Sequence, residues 1–224
     1  MLNIKLLLNA LAKFIFGLLL VGVTLFLPAG DLGYKNGWLF IGLLFLPMLL
    51  LGTVLFIKAP SLLEKRLDTK ENKVTQRGVI SLSALLSVTG FIVAGLDFRF
   101  GWSSVPTPVI IIAAIVLLLS YAIYAEVMRE NAYLSRTVKV EREQKVVDRG
   151  LYSVIRHPMY AVTILLFLSI PVVLGSWWSL LVFLPYVPII AVRILDEEKL
   201  LERELSGYTE YKKRVKYRLL PFVW

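Results

Sequence analysis

The chain has 224 residues, of which 58% are hydrophobic and 18% charged, and its mean hydropathy is +0.74. This composition is too apolar for a soluble globular domain and indicates an integral membrane protein. The absence of cysteine excludes disulfides and thiolate chemistry, and a single histidine argues against a histidine-based metal centre. A net charge of +9 is typical of basic loops facing anionic lipid, so we expect membrane lipids as partners and no nucleic acid.

Long continuous apolar runs predict an all-α protein, because the strands of a membrane barrel would alternate in polarity. A span needs about 20 residues, and six runs approach that length. They cover 5–27, 38–57, 79–96, 105–128, 159–174 and 177–195. Only Gly175 and Ser176 separate the last two runs, which predicts a tight helical hairpin.

Basic residues are concentrated in alternate connections of this chain. The loops 58–78 and 129–157 and the tail after residue 192 hold most of the 25 Lys and Arg residues. By the positive-inside rule, this bias predicts six spans with both termini in the cytoplasm. The protein would lie in the inner membrane of a prokaryote or in the endoplasmic reticulum of a eukaryote.

The single histidine, His157, opens the fifth apolar run within the sequence Gly-Leu-Tyr-Ser-Val-Ile-Arg-His-Pro-Met-Tyr of residues 150–160. Pro158 disfavours a helical backbone at His157 and suits the first position of the helix that follows. The pattern therefore places His157 at a helix N-terminus, where free backbone N–H groups and the helix dipole attract anions. Taken alone, such a histidine is more often a helix cap than a ligand.

A second polar cluster closes the sixth run. It consists of Arg193, Asp196, Glu197 and Glu198. Arg193 and Glu197 are four residues apart and share a helix face. An arginine near the end of a span is costly unless it is paired or hydrated, so a snorkelling ion pair is the structural alternative to a binding role. We expect this cluster and the His157 sequence to form one site at the cytoplasmic face.

Four short motifs carry a family resemblance. They are Gly-x-Tyr-x-x-x-Arg-His-Pro-x-Tyr, Arg-x-x-x-Glu-Glu-x-x-Leu, Gly-Tyr-x-x-Tyr and Arg-x-x-Pro, at Gly150, Tyr152, Arg156, His157, Pro158, Tyr160, Arg193, Glu197, Glu198, Leu201, Gly207, Tyr211, Arg218 and Pro221. This set resembles the isoprenylcysteine carboxyl methyltransferase family, which is similar to the membrane phospholipid methyltransferases. Asn131 and Ser135 also fit, whereas Ser206 departs from a common phenylalanine.

The resemblance implies one membrane domain, in which residues 1–78 are accessory spans and 79–224 form the methyltransferase core with its cofactor motifs in 130–221. It implies transfer of a methyl group from S-adenosylmethionine, held between the last two spans under a cytoplasmic helical tail. The cofactor-binding residues would be Val147, Gly150, Tyr152, His157, Pro158, Tyr160, Glu197, Glu198, Leu201 and Tyr211. The helix start at His157 and Pro158 suits the cofactor carboxylate.

The favoured acceptor is the carboxylate of a small lipophilic, isoprenylcysteine-like substrate. A carboxylate is ionised at neutral pH, so its methylation needs positioning and desolvation but neither a general base nor a metal. Arg193 is the first choice for orienting the carboxylate, and Arg156 is the second. If a lipid amine is the acceptor instead, a base is required, and Glu197, Glu198 or His157 is the candidate.

Two other classes of function remain open at this point. Membrane sterol reductases use NADPH and have a similar closing pattern, but the Glu197-Glu198 pair is typical of the methyltransferases. A transporter would be expected to carry ionisable residues within its spans or related halves, but these spans are almost uncharged internally and the polar set is concentrated at one face, which makes this interpretation weaker. The sequence leaves the identity of the acceptor and the oligomeric state undetermined.

Overall fold

The computed structural model describes residues 4–68, 74–134, 140 and 143–224, and the side chains of Val74 and Thr75 are not described. Ser135, which fits the family resemblance, lies outside the described residues. So do several basic residues that underlie the predicted orientation, namely Lys70, Lys73, Arg136, Lys139 and Arg142.

The described part of the chain is all-helical and contains no strand, which confirms the predicted fold class. Its α-helices are α1 Ile4–Ala29, α2 Lys35–Lys58, α3 Pro60–Leu67, α4 Val74–Phe100, α5 Thr107–Glu130, α6 Pro158–Val173, α7 Trp177–Phe183, α8 Tyr186–Glu204 and α9 Tyr208–Arg214. A short 3-10 turn, Gly150–Ser153, precedes α6.

Five segments are long and apolar enough to span a membrane, where the sequence predicted six spans. They are α1, α2, the part of α4 from Gln76, α5, and the stretch Trp177–Glu204, which joins α7 and α8. The predicted fifth span, α6, has only 16 residues, because Pro158 sets its first turn and the residues before it are not helical. The stretch Trp177–Glu204 is interrupted at Leu184 and Pro185, where proline supplies no N–H to continue α7.

Helix α4 is central to the bundle and packs against α1, α7 and α8, while α5 packs mainly against α6. Gly95 permits the contact with α1, because a Cβ atom at this position would lie 2.4 Å from the backbone oxygen of Leu25. Small residues allow such close backbone approach between membrane helices. The main core contains the fully buried side chains of Leu25, Phe40, Leu117 and Phe183.

A buried carboxylate holds together the end of the bundle where α4 ends and α7 begins. Asp97 is 1% exposed and accepts hydrogen bonds from Ser103 N at 2.7 Å and Ser103 Oγ at 2.6 Å. The hydroxyl of Ser176 donates to the same carboxylate, and Ser176 Oγ accepts from Ser179 N at 3.0 Å as the cap of α7. Asp97 therefore ties the α4–α5 loop to the turn between α6 and α7.

The opposite end of the bundle is where α2 ends, α5 ends, α6 begins and α8 leaves the apolar core. The side chain of Lys65 on α3 donates to Ala132 O at 3.4 Å, which places α3 beside the segment that follows α5. The tail returns from α9 to the start of α6, where Tyr217 O accepts from Arg156 N at 2.9 Å. The polar residues singled out in the sequence are brought together at this end.

We predict that Asp97→Ala lowers the free energy of unfolding by about 3 kcal/mol, because buried hydroxyl and N–H donors lose their acceptor. Thermal unfolding in detergent, followed by circular dichroism, measures the effect. The control is Glu204→Ala, which removes an exposed carboxylate at the end of α8. Equal unfolding temperatures for the two variants would contradict this role of Asp97.

Candidate active site

The start of α6 is built as the sequence predicted, with His157 as the N-cap and Pro158 at the first helical position. The N–H groups before α6 are already used, however. Arg156 N donates to Tyr217 O at 2.9 Å, and His157 N donates to Arg218 O at 2.9 Å. The returning tail thus supplies carbonyl acceptors to these two groups, and the placement of the cofactor carboxylate at this helix start stays a prediction.

Glu198 is the centre of a buried ion cluster behind the helix start. It is 3% exposed, and its Oε1 accepts from Arg156 Nε at 2.8 Å and lies 3.1 Å from His157 Nε2. Its Oε2 accepts from Arg218 Nε at 3.0 Å. One carboxylate thus joins α8, the start of α6 and the tail.

Arg156 also holds the tail against the start of α6. Besides its bond to Glu198, its Nη1 donates to Val215 O at 2.7 Å and to Lys216 O at 2.8 Å. A guanidinium has several donors in a fixed plane, so it can serve a carboxylate and two carbonyls at once. Arg156 is consequently engaged by the tail, which makes it the weaker choice for orienting an acceptor.

A cavity of about 100 Å³ lies between α8, α9, the start of α6 and the segments 131–134 and 144–147. Its lining includes most of the predicted site residues, namely Val147, Tyr152, Arg156, His157, Tyr160, Arg193, Glu197, Leu201 and Tyr211. Gly150, Pro158 and Glu198 are not in the lining. This arrangement shows that the two polar clusters of the sequence meet in space.

Gly150 shapes the turn that carries Tyr152. It has φ +58°, and a Cβ atom here would lie 1.5 Å from Glu130 Oε1. Glu130 instead accepts from Leu151 N at 3.0 Å. Tyr152 is fixed from both ends, because its hydroxyl accepts from Asn131 Nδ2 at 3.1 Å and its carbonyl accepts from Tyr211 Oη at 2.7 Å.

Tyr160 connects the arginine and the carboxylate that the sequence placed on one helix face. Arg193 Nε donates to Tyr160 Oη at 2.8 Å, and Tyr160 Oη donates to Glu197. Arg193 is 8% exposed and Tyr160 is 5% exposed, so both are fixed within the protein. Asp196, the other acidic residue of this cluster, accepts from Gln76 Nε2 at 2.6 Å and ties α8 to α4.

A second cavity, of about 400 Å³, lies within the helix bundle. Residues of α4, α6 and α8 line it, together with Arg66 of α3 and Tyr124 of α5. It shares Met159, Tyr160 and Arg193 with the smaller cavity. These three residues form a wall between a polar pocket at the end of the bundle and a larger space among the membrane helices.

Tyr208 is a lining residue that the sequence analysis did not assign to the site. It is 4% exposed, and its hydroxyl has no hydrogen-bond partner among the described residues. Burial raises the pKa of this hydroxyl, and the carboxylates of Glu198 and Glu197 raise it further, so it stays neutral and able to donate. The Gly-Tyr-x-x-Tyr motif contained this residue, but only the fold shows that its hydroxyl is buried without a partner.

We predict that Glu198→Gln loosens the tail, because it removes the charge that compensates Arg156 and Arg218. Breaking a buried ion pair costs about 3–5 kcal/mol. Hydrogen exchange of residues 154–160 should accelerate, since the amides of Arg156 and His157 bond to the tail. The control is Glu202→Gln, which removes an exposed carboxylate paired with Lys212. Unchanged exchange in Glu198→Gln would show that the ion cluster does not hold the tail.

Comparison with known proteins gives one family match. Residues 108–206 match the family described as phospholipid methyltransferase. The matched segment runs from the start of α5 to just past α8, and it excludes α1–α4 and α9. No curated protein matches the chain. The family includes the isoprenylcysteine carboxyl methyltransferases, so the family match over residues 108–206 confirms the resemblance seen in the sequence.

Proposed function

We propose that this protein is an S-adenosylmethionine-dependent methyltransferase of the membrane, and that its favoured acceptor is the carboxylate of a small lipophilic, isoprenylcysteine-like molecule. The observation that carries the proposal is the wall of Met159, Tyr160 and Arg193 between the two cavities. A methyl transfer from a polar cofactor to a membrane-borne acceptor needs two such spaces that meet at one point.

The chemistry of the smaller cavity fits the cofactor. Glu197 suits the ammonium group or the ribose hydroxyls, and the tyrosine faces suit adenine or a sulfonium cation. Val147 and Leu201 offer apolar contact to the adenine. The buried Tyr208 hydroxyl has no hydrogen-bond partner among the described residues, and a polar ligand would supply one. Ligand pockets typically measure about 300–1,000 Å³, so we infer that α9 and the 144–147 segment move away from α8 when the cofactor binds.

S-adenosylmethionine, when bound, supplies an electrophilic methyl group on a sulfonium. A carboxylate oxygen of the acceptor would bond to that methyl carbon as the carbon–sulfur bond breaks, with the sulfur keeping the electron pair. The products are a methyl ester and S-adenosylhomocysteine, and no proton is transferred. Arg193 orients the carboxylate, while Tyr160 and Glu197 hold Arg193 in position. The apolar walls exclude water, which strengthens these interactions.

Methylation of a phospholipid amine is the second candidate, and the description of the matched family favours it. An ammonium headgroup must lose a proton before it can attack, so this reaction requires a general base. Glu197 lines the smaller cavity, and its carboxylate contacts the shared wall by accepting a hydrogen bond from Tyr160. The second, larger cavity, here called the membrane cavity, is less suited to an ammonium headgroup. The charged side chains among its described lining residues are Arg66 and Arg193, which repel a cation.

The membrane placement follows from the same proposal. We infer that α6 crosses the membrane together with Trp177–Glu204 as a hairpin, which gives six spans. The site then lies at the cytoplasmic face with both termini, as the basic loops favour. The segment from α9 to Trp224 acts as the lid of the cofactor site, supported by its bonds to Arg156, His157 and Glu198.

The first test is calorimetric titration of the purified protein with S-adenosylhomocysteine and, separately, with NADPH. We expect micromolar binding of S-adenosylhomocysteine alone. Glu197→Gln should weaken it about tenfold to a hundredfold, and Tyr208→Phe about three- to tenfold, as expected for lost charged and neutral hydrogen bonds. Tyr208→Phe should leave stability unchanged, since the hydroxyl has no partner in the described protein. Binding of NADPH alone would contradict the proposed methyltransferase function and indicate a reductase.

We predict that Arg193→Ala keeps cofactor affinity within about threefold of the wild type but lowers turnover of a carboxylate acceptor at least about a hundredfold. The reason is that Arg193 contacts the acceptor, while Glu197 and the tyrosines hold the cofactor. Radiolabelled methyl transfer measures turnover, and calorimetry measures affinity. A variant that loses both properties equally would assign Arg193 to the cofactor instead.

A further inference from the structure

The membrane cavity receives one charged side chain from outside the matched family segment. Arg66 belongs to α3, the short helix between the second and third long helices, whereas the family match begins at residue 108. Its Nη2 donates to Met159 Sδ at 3.4 Å, and its guanidinium carbon lies 5.1 Å from the ring centroid of Tyr124. The guanidinium is thus held beside a residue of the wall that separates the two cavities.

The charge of this lining has one sign. Arg66 and Arg193 are the charged side chains among the described residues that line the membrane cavity, and this lining contains no Asp or Glu. The remaining lining is aliphatic, aromatic or hydroxyl-bearing. In an apolar environment the two guanidiniums of this lining favour an anionic group and disfavour an ammonium group.

Arg66 is also separated from the cofactor. The smaller cavity contains Arg193 in its lining but not Arg66, although both cavities share Met159. The charge of Arg66 therefore faces the space assigned to the acceptor. A thioether sulfur is only a weak hydrogen-bond acceptor, and a carboxylate in the cavity accepts a stronger, charge-assisted bond from the Nη2 of Arg66.

We propose that Arg66 binds the anionic headgroup of the acceptor together with Arg193 and selects a carboxylate amphiphile over an amine. The inference rests on the proposed function and adds a binding residue to it. It also changes the part played by residues 1–78. Instead of being accessory spans only, they position α3 and thereby contribute acceptor specificity to the family segment.

The test compares a lipophilic carboxylate, N-acetyl-S-farnesylcysteine, with its uncharged carboxamide and with dioleoylphosphatidylethanolamine. The wild type should methylate the carboxylate, and the carboxamide should compete for the site about ten- to a hundredfold more weakly. In Arg66→Gln the KM for the carboxylate should rise by a similar factor, and the preference over the carboxamide in competition binding should disappear. Affinity for S-adenosylhomocysteine should stay within twofold.

Two further variants make the result specific. Lys58→Gln removes an exposed charge at the end of α2 that does not line the cavity, and it should behave as the wild type. Arg66→Lys keeps the charge but loses the planar pair of donors, so it should retain part of the preference for the carboxylate. If Arg66→Gln does not fold, Arg66→Lys still tests the proposal, because its KM for the carboxylate should rise while cofactor affinity is kept.

Failure of this inference is distinguishable from failure of the proposed function. If the wild type binds no S-adenosylhomocysteine and transfers no methyl group, the proposed function itself is wrong. If methyl transfer occurs but Arg66→Gln keeps both the KM and the preference for the carboxylate over the carboxamide, the role of Arg66 is overturned. Methylation of phosphatidylethanolamine in preference to the carboxylate would overturn it as well.

Discussion

The architecture of the candidate site depends on the burial of one carboxylate among three cationic or polar partners. Glu198 contacts Arg156, His157 and Arg218, and these residues belong to the start of α6 and to the tail. Removing a carboxylate from water is costly unless its oxygens are hydrogen-bonded and its charge is compensated. Both conditions are met only when the tail lies across α6, so the ion cluster and the closed tail require one another.

The contact of the tail with α6 explains why two adjacent glutamates have different surroundings. Glu198 and Glu197 are neighbours on α8, but successive helical residues point about 100° apart. Glu198 is directed to the tail and the start of α6, whereas Glu197 faces the small cavity and accepts from Tyr160. The pair thus supplies one carboxylate that closes the site and one that remains available to a ligand. A sequence motif that contains both residues does not distinguish these environments.

The wall of Met159, Tyr160 and Arg193 gives the protein two compartments of different polarity. The smaller one lies between α8, α9 and short connecting segments, where polar groups are abundant. The larger one lies among apolar helices and receives Arg66 from α3. A reaction between a polar cofactor and a lipophilic acceptor requires such a boundary. Transfer of the polar cofactor into apolar surroundings, or of the apolar acceptor into polar surroundings, costs free energy. Under the proposal for Arg66, helices outside the matched segment would also influence the choice of acceptor.

The amino-acid sequence determined the helical class and the approximate position of each apolar segment, because both follow from the length of the hydrophobic runs. It also identified the start of α6 from Pro158 after His157, and the shared helix face of Arg193 and Glu197 from their spacing. It predicted six spans, of which five have full spanning length in the described residues, while α6 has 16 residues, so the sixth span stays a prediction. It did not reveal that tail carbonyls satisfy the N–H groups of Arg156 and His157, or that the buried Tyr208 hydroxyl has no hydrogen-bond partner in the described part of the chain. Nor did it reveal that Arg66 contacts Met159, 93 residues further along the chain. Those features arise from contacts between distant segments, and only the packing of the helices decides which polar group meets which partner.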